Sequence, residues 1–258
     1  MTVRATWCLS NNVGDALTAW LVHRIAGTWP AYVPPAMEHL RRCMLVGSVL
    51  NHAQQDTFVA GAGVARLSDP VDARATFLSV RGPLSRQAVM ASGGRCPEIY
   101  GDPAMLLPRW IPRATPTCPV GIVPHYTDHA RSLTLWGGHI QDGRMKIVNV
   151  FAPVEEFVHG LTSCEVVLCS SLHGLVVADA YGIPSEWVTI DRNMIGGDGT
   201  KYRDHAAAVG YELVQPVELV GEPPARLAPL AQARKLRWTE ADSERLYGAV
   251  EAAINASR

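Results

Sequence analysis

The sequence predicts an α/β protein of two Rossmann-like domains, each a parallel sheet covered by helices. Three observations carry this. Short apolar runs alternate with segments of helical period along most of the 258 residues, the pattern of β–α–β units. The run 166–169 (Val-Val-Leu-Cys) is apolar throughout rather than at every second residue, which marks a strand buried on both faces. A proline-dense stretch holding Pro103, Pro108, Pro112, Pro116 and Pro119 interrupts the alternation once and reads as a linker between two sets of elements.

The elements follow in order. Residues 3–9 read as a first strand. A helix opens after Asn12, with Val13, Leu17, Leu21 and Ile25 on one stripe. Residues 43–49, 57–60 and 76–80 are three further apolar strands. Pro83 then takes the first helical position, which needs no N–H, and the helix runs through Leu84 and Ala88 towards Gly93. Beyond the linker, strands are expected at 120–123, 146–151, 166–169 and 186–190. Helices are expected at 153–161, 173–181 and 202–209, and a glycine-rich loop at 191–200. Leu246, Val250 and Ile254 share one face of a C-terminal docking helix. The division this gives is 1–115 for the first domain, 119–238 for the second and 239–258 for the last helix.

Composition removes several function classes. Charged residues are 18% of the chain, too few for a charge-rich disordered segment or a long coiled coil. Lys and Arg total 23 against 24 Asp and Glu, so no nucleic-acid partner is expected. No apolar run approaches the ~20 residues of a spanning helix, and the N-terminal residues carry no secretory signal. A cytoplasmic protein is expected. Its six cysteines contain no C-x-x-C pair, so they read as buried thiols rather than a zinc site, and no metal is expected.

In open parallel sheets ligands bind beyond the carboxyl ends of the strands, so the candidate residues are those that follow strands. Asn12, Gly14 and Asp15 open the first helix, where free N–H groups suit an anion and Asp15 is a candidate base. The same spacing is that of a capping box. Gly47, Ser48, Gly61 and Gly63 follow the next two strands and are candidates to bring backbone N–H groups to a phosphate, or are tight turns. Arg81 ends the fourth strand and offers a planar fork for carboxylate or phosphate. In the second domain the segment Ser170-Ser171-Leu172-His173-Gly174 follows a buried strand. It sets hydroxyls and an imidazole at a helix start, a place for an acid–base group beside a bound anion. His125 also follows a strand. The loop Gly196-Gly197-Asp198-Gly199 before Lys201 and Tyr202 is a candidate lid that carries a cation.

Asn12-Val13-Gly14-Asp15, Arg81-Gly82-Pro83, Tyr100-Gly101-Asp102-Pro103, Val123-Pro124-His125 and the segment from Ser170 to Pro184 occur in this order. Together they resemble the polysaccharide pyruvyl transferases, most of all the short, xanthan-type ketal pyruvate transferases. The resemblance runs from about residue 10 to 205, and its most specific part is the segment 170–184. It implies a glycosyltransferase-B-like fold, phosphoenolpyruvate as donor and co-substrate, and no further cofactor. It also implies a sugar diol as acceptor, free or on a lipid-linked oligosaccharide, in exopolysaccharide biosynthesis. Membrane association would then be peripheral, through the acceptor. On this reading His173 contacts the donor and transfers a proton. Arg81, Ser170, Ser171, Leu172, Gly174, Gly47, Ser48, Gly61, Gly63, His125 and Lys201 bind the donor. Asn12, Gly14, Asp15 and Tyr202 bind the acceptor, with Asp15 activating its hydroxyl. Some relatives carry an arginine where this chain has Ser171, so Arg81, Lys201 or backbone N–H groups must compensate. Two other functions stay open on the same fold: a nucleotide-sugar-dependent glycosyltransferase, and a non-catalytic protein that binds a glycan or an anion.

Overall fold

Among the described residues ten strands form two five-stranded sheets, all of whose neighbours run parallel. The structure, a computed structural model, describes residues 2–10, 12–190 and 197–258. Contacts divide the chain into two units. The first starts with β1 (Arg4–Ala5), α1 (Val13–Ala26), β2 (Ala31–Tyr32), β3 (Arg42–Met44), β4 (Thr57–Ala60), β5 (Thr76–Ser79) and α2 (Pro83–Ala91). The chain passes to the second unit at Leu107. There it forms β6 (Cys118–Val123), α3 (His129–Ile140), β7 (Met145–Ile147), α4 (Val154–Thr162), β8 (Cys164–Cys169), α5 (Leu172–Ala180) and β9 (Ser185–Ile190). Residues 197–212 return to the first unit with α6 (Thr200–Val209). The second unit then gains β10 (Val217–Leu219) and α7 (Pro224–Leu227), and the first unit closes with α8 (Glu240–Ala256). The linear division at 115 and 238 is therefore corrected: α6, with Lys201 and Tyr202, belongs with the first sheet, as does the last helix.

The first sheet has the order β2-β1-β3-β4-β5. Its core gathers Met44, Val59, Phe77, Val80 and Val89. Helix α8 packs on β3, β4 and β5 through Leu246, Val250 and Ile254, all fully buried. Its start is fixed by a capping box between Thr239 and Asp242. Its end is tied to β1, where the Arg4 N–H donates to the Ser257 carbonyl at 3.2 Å.

The second sheet has the order β10-β9-β8-β6-β7. Every residue of β9 is buried, as expected of a strand covered on both faces. The core here is Val120, Ile122, Trp136, Leu168, Val188 and Ile190. Four elements escape a linear reading, the short helix α7 among them. Strand β2 has two residues among prolines, and β10 has three. Helix α3 contains Gly137 and Gly138, each costing about 1 kcal/mol of helix propensity. It is held instead by Trp136, whose indole N–H donates to the Glu222 carbonyl at 2.9 Å.

Candidate functional site

In the first unit the turn after β5 carries Arg81, which is completely buried. Its Nε donates to Asp204 Oδ2 at 3.1 Å, Nη1 to Ser48 Oγ at 2.8 Å and Nη2 to the Val64 carbonyl at 2.6 Å. The expectation of an open fork that grips the donor is thus corrected: the guanidinium is directed at protein acceptors. Asp204, from α6, also accepts from the Leu84 and Ser85 N–H groups at 2.9 and 3.0 Å. The Ser85 hydroxyl donates to it as well, at 2.5 Å. The N-cap residue of α2, Gly82, has no side chain to offer, so a carboxylate from far along the chain caps that helix and occupies the place of an anion.

The neighbouring glycines answer to this packing. A Cβ on Gly82 would lie 2.1 Å from the Asp204 carbonyl oxygen, and one on Gly63 would lie 2.4 Å from Arg81 Cζ. One on Gly61 would lie 2.3 Å from Pro103 Cδ. Gly61 and Gly63 are therefore reassigned from phosphate cradle to close packing. Gly47 differs in its surroundings: a Cβ there would make only ordinary contact, 3.5 Å from Val49 Cγ1, and glycine is favoured by its φ of +108°.

Lys201 lies one turn before Asp204 on α6 and is 9% exposed. Among the described residues its ammonium has no hydrogen-bond or ion-pair partner; it sits 5.2 Å over the ring of Tyr202. Burial, aided by the charge of Arg81, pushes its pKa down to about 8. Arg81 and Asp204 balance each other, so among the described residues Lys201 is left as a buried cation without a counter-charge, a costly arrangement that an anion relieves. Tyr202 is itself 3% exposed. It packs under Lys201, which corrects its assignment to the acceptor. Of the expected lid, residues 191–196 lie outside the described residues. Asp198 Oδ1 accepts from the Thr200 N–H at 3.0 Å and so fastens the start of α6.

In the second unit the turns after β6 and β8 are joined. Ser170 Oγ accepts from the His125 N–H and donates to Asp128 Oδ2, both at 2.9 Å. The Ser170 and Ser171 N–H groups donate to the Val123 carbonyl at 3.1 and 3.3 Å. The His125 ring pairs through Nδ1 with Thr127 Oγ1 at 2.9 Å. Asp128, 2% exposed, is a residue the sequence reading missed. Leu172 is core. Gly174 lets α5 approach the sheet, since a Cβ there would meet Val123 Cγ1 at 2.8 Å. The donor roles of Leu172 and Gly174 are accordingly replaced by packing. Ser171 is the N-cap residue of α5 but makes no side-chain cap bond. His173, half-buried, stands in the first turn of that helix.

At the start of α1 Asn12 supplies a side-chain cap, without the second bond of a capping box among the described residues. Asn12 Oδ1 accepts from the Gly14 and Asp15 N–H groups at 2.9 and 3.4 Å. Asp15 Oδ2 accepts from the Ser10 N–H and the Asn12 amide, each at 2.8 Å. In the second unit a cavity of about 400 Å³ opens at the amino end of β6, beside Pro119, Val120 and Arg144, and none of the turn residues Ser170, Ser171 and His173 lines it. Among the described residues no group of three His, Cys, Asp or Glu is placed to hold a metal. Among them, too, no helix is long and apolar enough to cross a membrane.

Two parallel α/β units, with a buried cation in one and a histidine at a strand–helix turn in the other, define a protein of Rossmann-like architecture. The chain matches the model of the polysaccharide pyruvyl transferase family over residues 57–192, more than half its length, and it belongs to that family. It is 30% identical over 209 residues to the uncharacterized protein L143 of Acanthamoeba polyphaga mimivirus, covering 78% of this chain and 72% of that protein. It is 25% identical over 212 residues to the succinoglycan biosynthesis protein ExoV of Rhizobium meliloti (strain 1021). That match covers 77% of this chain and 62% of the relative, so the chain spans less than two thirds of that protein's length. No solved structure matches the chain.

Proposed function

We propose that this chain transfers the pyruvyl group of phosphoenolpyruvate to two hydroxyls of one sugar, forming a ketal and releasing phosphate. The observation that carries the reading, for a chain of this family, is the buried ammonium of Lys201, which has no hydrogen-bond or ion-pair partner among the described residues. It is a site for the donor's phosphate or carboxylate. The likeness to a succinoglycan biosynthesis protein supports a polysaccharide or its precursor as acceptor, and we place the reaction in the cytoplasm.

In this mechanism Lys201 holds the donor anion. Arg81 acts through its neighbours: it fixes Ser48 Oγ and Asp204. His173 delivers a proton to the donor's methylene carbon, which becomes the methyl group. The first sugar hydroxyl attacks C2, phosphate leaves, and the second hydroxyl closes the ketal. Of the two hydroxyl protons released, one replaces that given by His173 and the other departs with phosphate. The oxocarbenium-like character at C2 is eased by the donor's own carboxylate. Ser170, held by Asp128, sets the turn from which His173 projects.

The test is incubation with phosphoenolpyruvate and a candidate glycan, followed by mass spectrometry. A mass gain matching a pyruvyl ketal, with stoichiometric phosphate, is the expected result. Transfer from a nucleotide sugar instead would replace this reading with glycosyl transfer.

A further inference from the structure

The first sheet contains a second candidate site, lined by none of the residues that the family resemblance names. In the order β2-β1-β3 the chain leaves β1 for one side and then crosses to the other. The crevice at the carboxyl ends of β1 and β3 is therefore the topological switch point, where open parallel sheets bind ligands. A pocket of about 280 Å³ lies there, near the lower end of the range for small-molecule sites. Residues following β1, the end of β2, and residues of and after β3 all line it.

Its walls are amphipathic. Trp7 is half-buried and set edge-on against Tyr32, ring centroids 4.8 Å apart at 68°, so the indole is fixed before any ligand arrives. Met44 and Val49 add aliphatic surface, while Ser10 and His52 are exposed polar residues of the lining. Thr6 lines it too, and its hydroxyl is buried with no hydrogen-bond partner among the described residues. No lysine or arginine is among the described lining residues. The adjacent start of α1 is closed by Asn12, and Asp15 stands in its first turn. A phosphate or diphosphate is repelled there rather than cradled. The ligand this suits is neutral, with an apolar face and a rim of hydroxyls.

We propose that this pocket binds a pyranose ring, stacked by its C–H face on Trp7, and that it is the acceptor subsite. The assignment as acceptor subsite rests on the transfer function proposed above; the ligand class rests on the pocket alone. The probe set is methyl β-D-glucopyranoside, methyl β-D-galactopyranoside and methyl α-D-mannopyranoside, with adenosine diphosphate as the charged comparison. The full chain is labelled with 5-fluorotryptophan, and its Trp7 resonance is assigned by its disappearance in Trp7→Phe. At least one pyranoside should shift that resonance saturably at millimolar concentration, and adenosine diphosphate should not. Affinity for that pyranoside should fall roughly tenfold or more in Trp7→Ala, as for a central aromatic anchor. If Trp7→Ala does not fold, the loss is read in Trp7→Phe, as quenching of the remaining resonances. A Trp7 signal unmoved by every pyranoside, or moved by adenosine diphosphate instead, overturns the site. Thermal stabilisation by phosphoenolpyruvate, measured on the same sample, separates the two claims. Donor stabilisation without a pyranoside shift removes only the pocket. A pyranoside shift without donor stabilisation removes the transfer reading and with it the assignment as acceptor subsite, and leaves the pyranose site.

Discussion

The chain makes the same turn twice, from a parallel strand into a helix, after β5 and after β8, and completes the two helix starts differently. After β5 the first turn of α2 is filled by the carboxylate of Asp204, which also neutralises Arg81. After β8 the N-cap residue Ser171 leaves the start of α5 without a side-chain cap bond, and His173 stands in its first turn. A helix start is an anion site only while the protein's own carboxylates stay out of it. The first turn is a piece of architecture by that criterion, and Lys201, one turn along from Asp204, is the charge left over for a ligand.

This contrast is open to test by substitution. Asp204→Asn should have the largest effect, because it leaves Arg81 buried without its counter-charge and weakens the cap of α2. Breaking one partner of a buried pair costs about 3–5 kcal/mol, readable as a lowered denaturation midpoint. Loss of well under 1 kcal/mol would mean that the pair is not structural. His173→Gln should leave stability near that of the parent and reduce turnover at least ~100-fold, measured as phosphate release. Retained turnover would make the imidazole a packing group. Asn12→Ala removes the bonds to the Gly14 and Asp15 N–H groups and should cost about 1 kcal/mol without altering donor affinity. Ser171→Ala should be the smallest change, within ~0.5 kcal/mol, since no cap bond is lost; a larger drop would erase the difference between the two turns.

Much of the fold was legible because its signals are local. The apolar run of β8, the helix that starts near His173 and the stripe Leu246, Val250 and Ile254 each state their surroundings within a few residues. β2 was not legible, because two residues carry no period. The site was legible in its residue types and only partly in its roles. His173 and Lys201 stand out by position, but Arg81 read alone is a free cation. Its partner Asp204 lies 123 residues away, and nothing in either neighbourhood announces the pairing. Gly61, Gly63 and Gly174 failed for the same reason: each looked like room for a ligand, and the room is taken by Pro103, by Arg81 and by Val123 with Cys169. Trp7 and Tyr32 drew no notice because aromatic residues near strands usually belong to the core.

The most direct test of the excess buried charge is calorimetric binding of phosphoenolpyruvate to the parent and to Lys201→Met between pH 6.5 and 9.5, a window chosen to span the free-state pKa of about 8. Below about 8 the lysine is already charged and binding needs no proton. Above it, binding must first recharge the amine, so affinity should fall as pH rises, approaching tenfold per pH unit, with proton uptake. Lys201→Met should bind the donor at least ~10-fold more weakly, as for loss of a charge-assisted contact, and should lose this pH dependence. The same variant should be more stable near neutral pH. The folded lysine titrates below its unfolded value, so its protonated form opposes folding below about 8, and that penalty fades as pH rises towards 10.5. Donor affinity that stays flat through pH 8 and survives in Lys201→Met would contradict the assignment of Lys201 as the anion's partner.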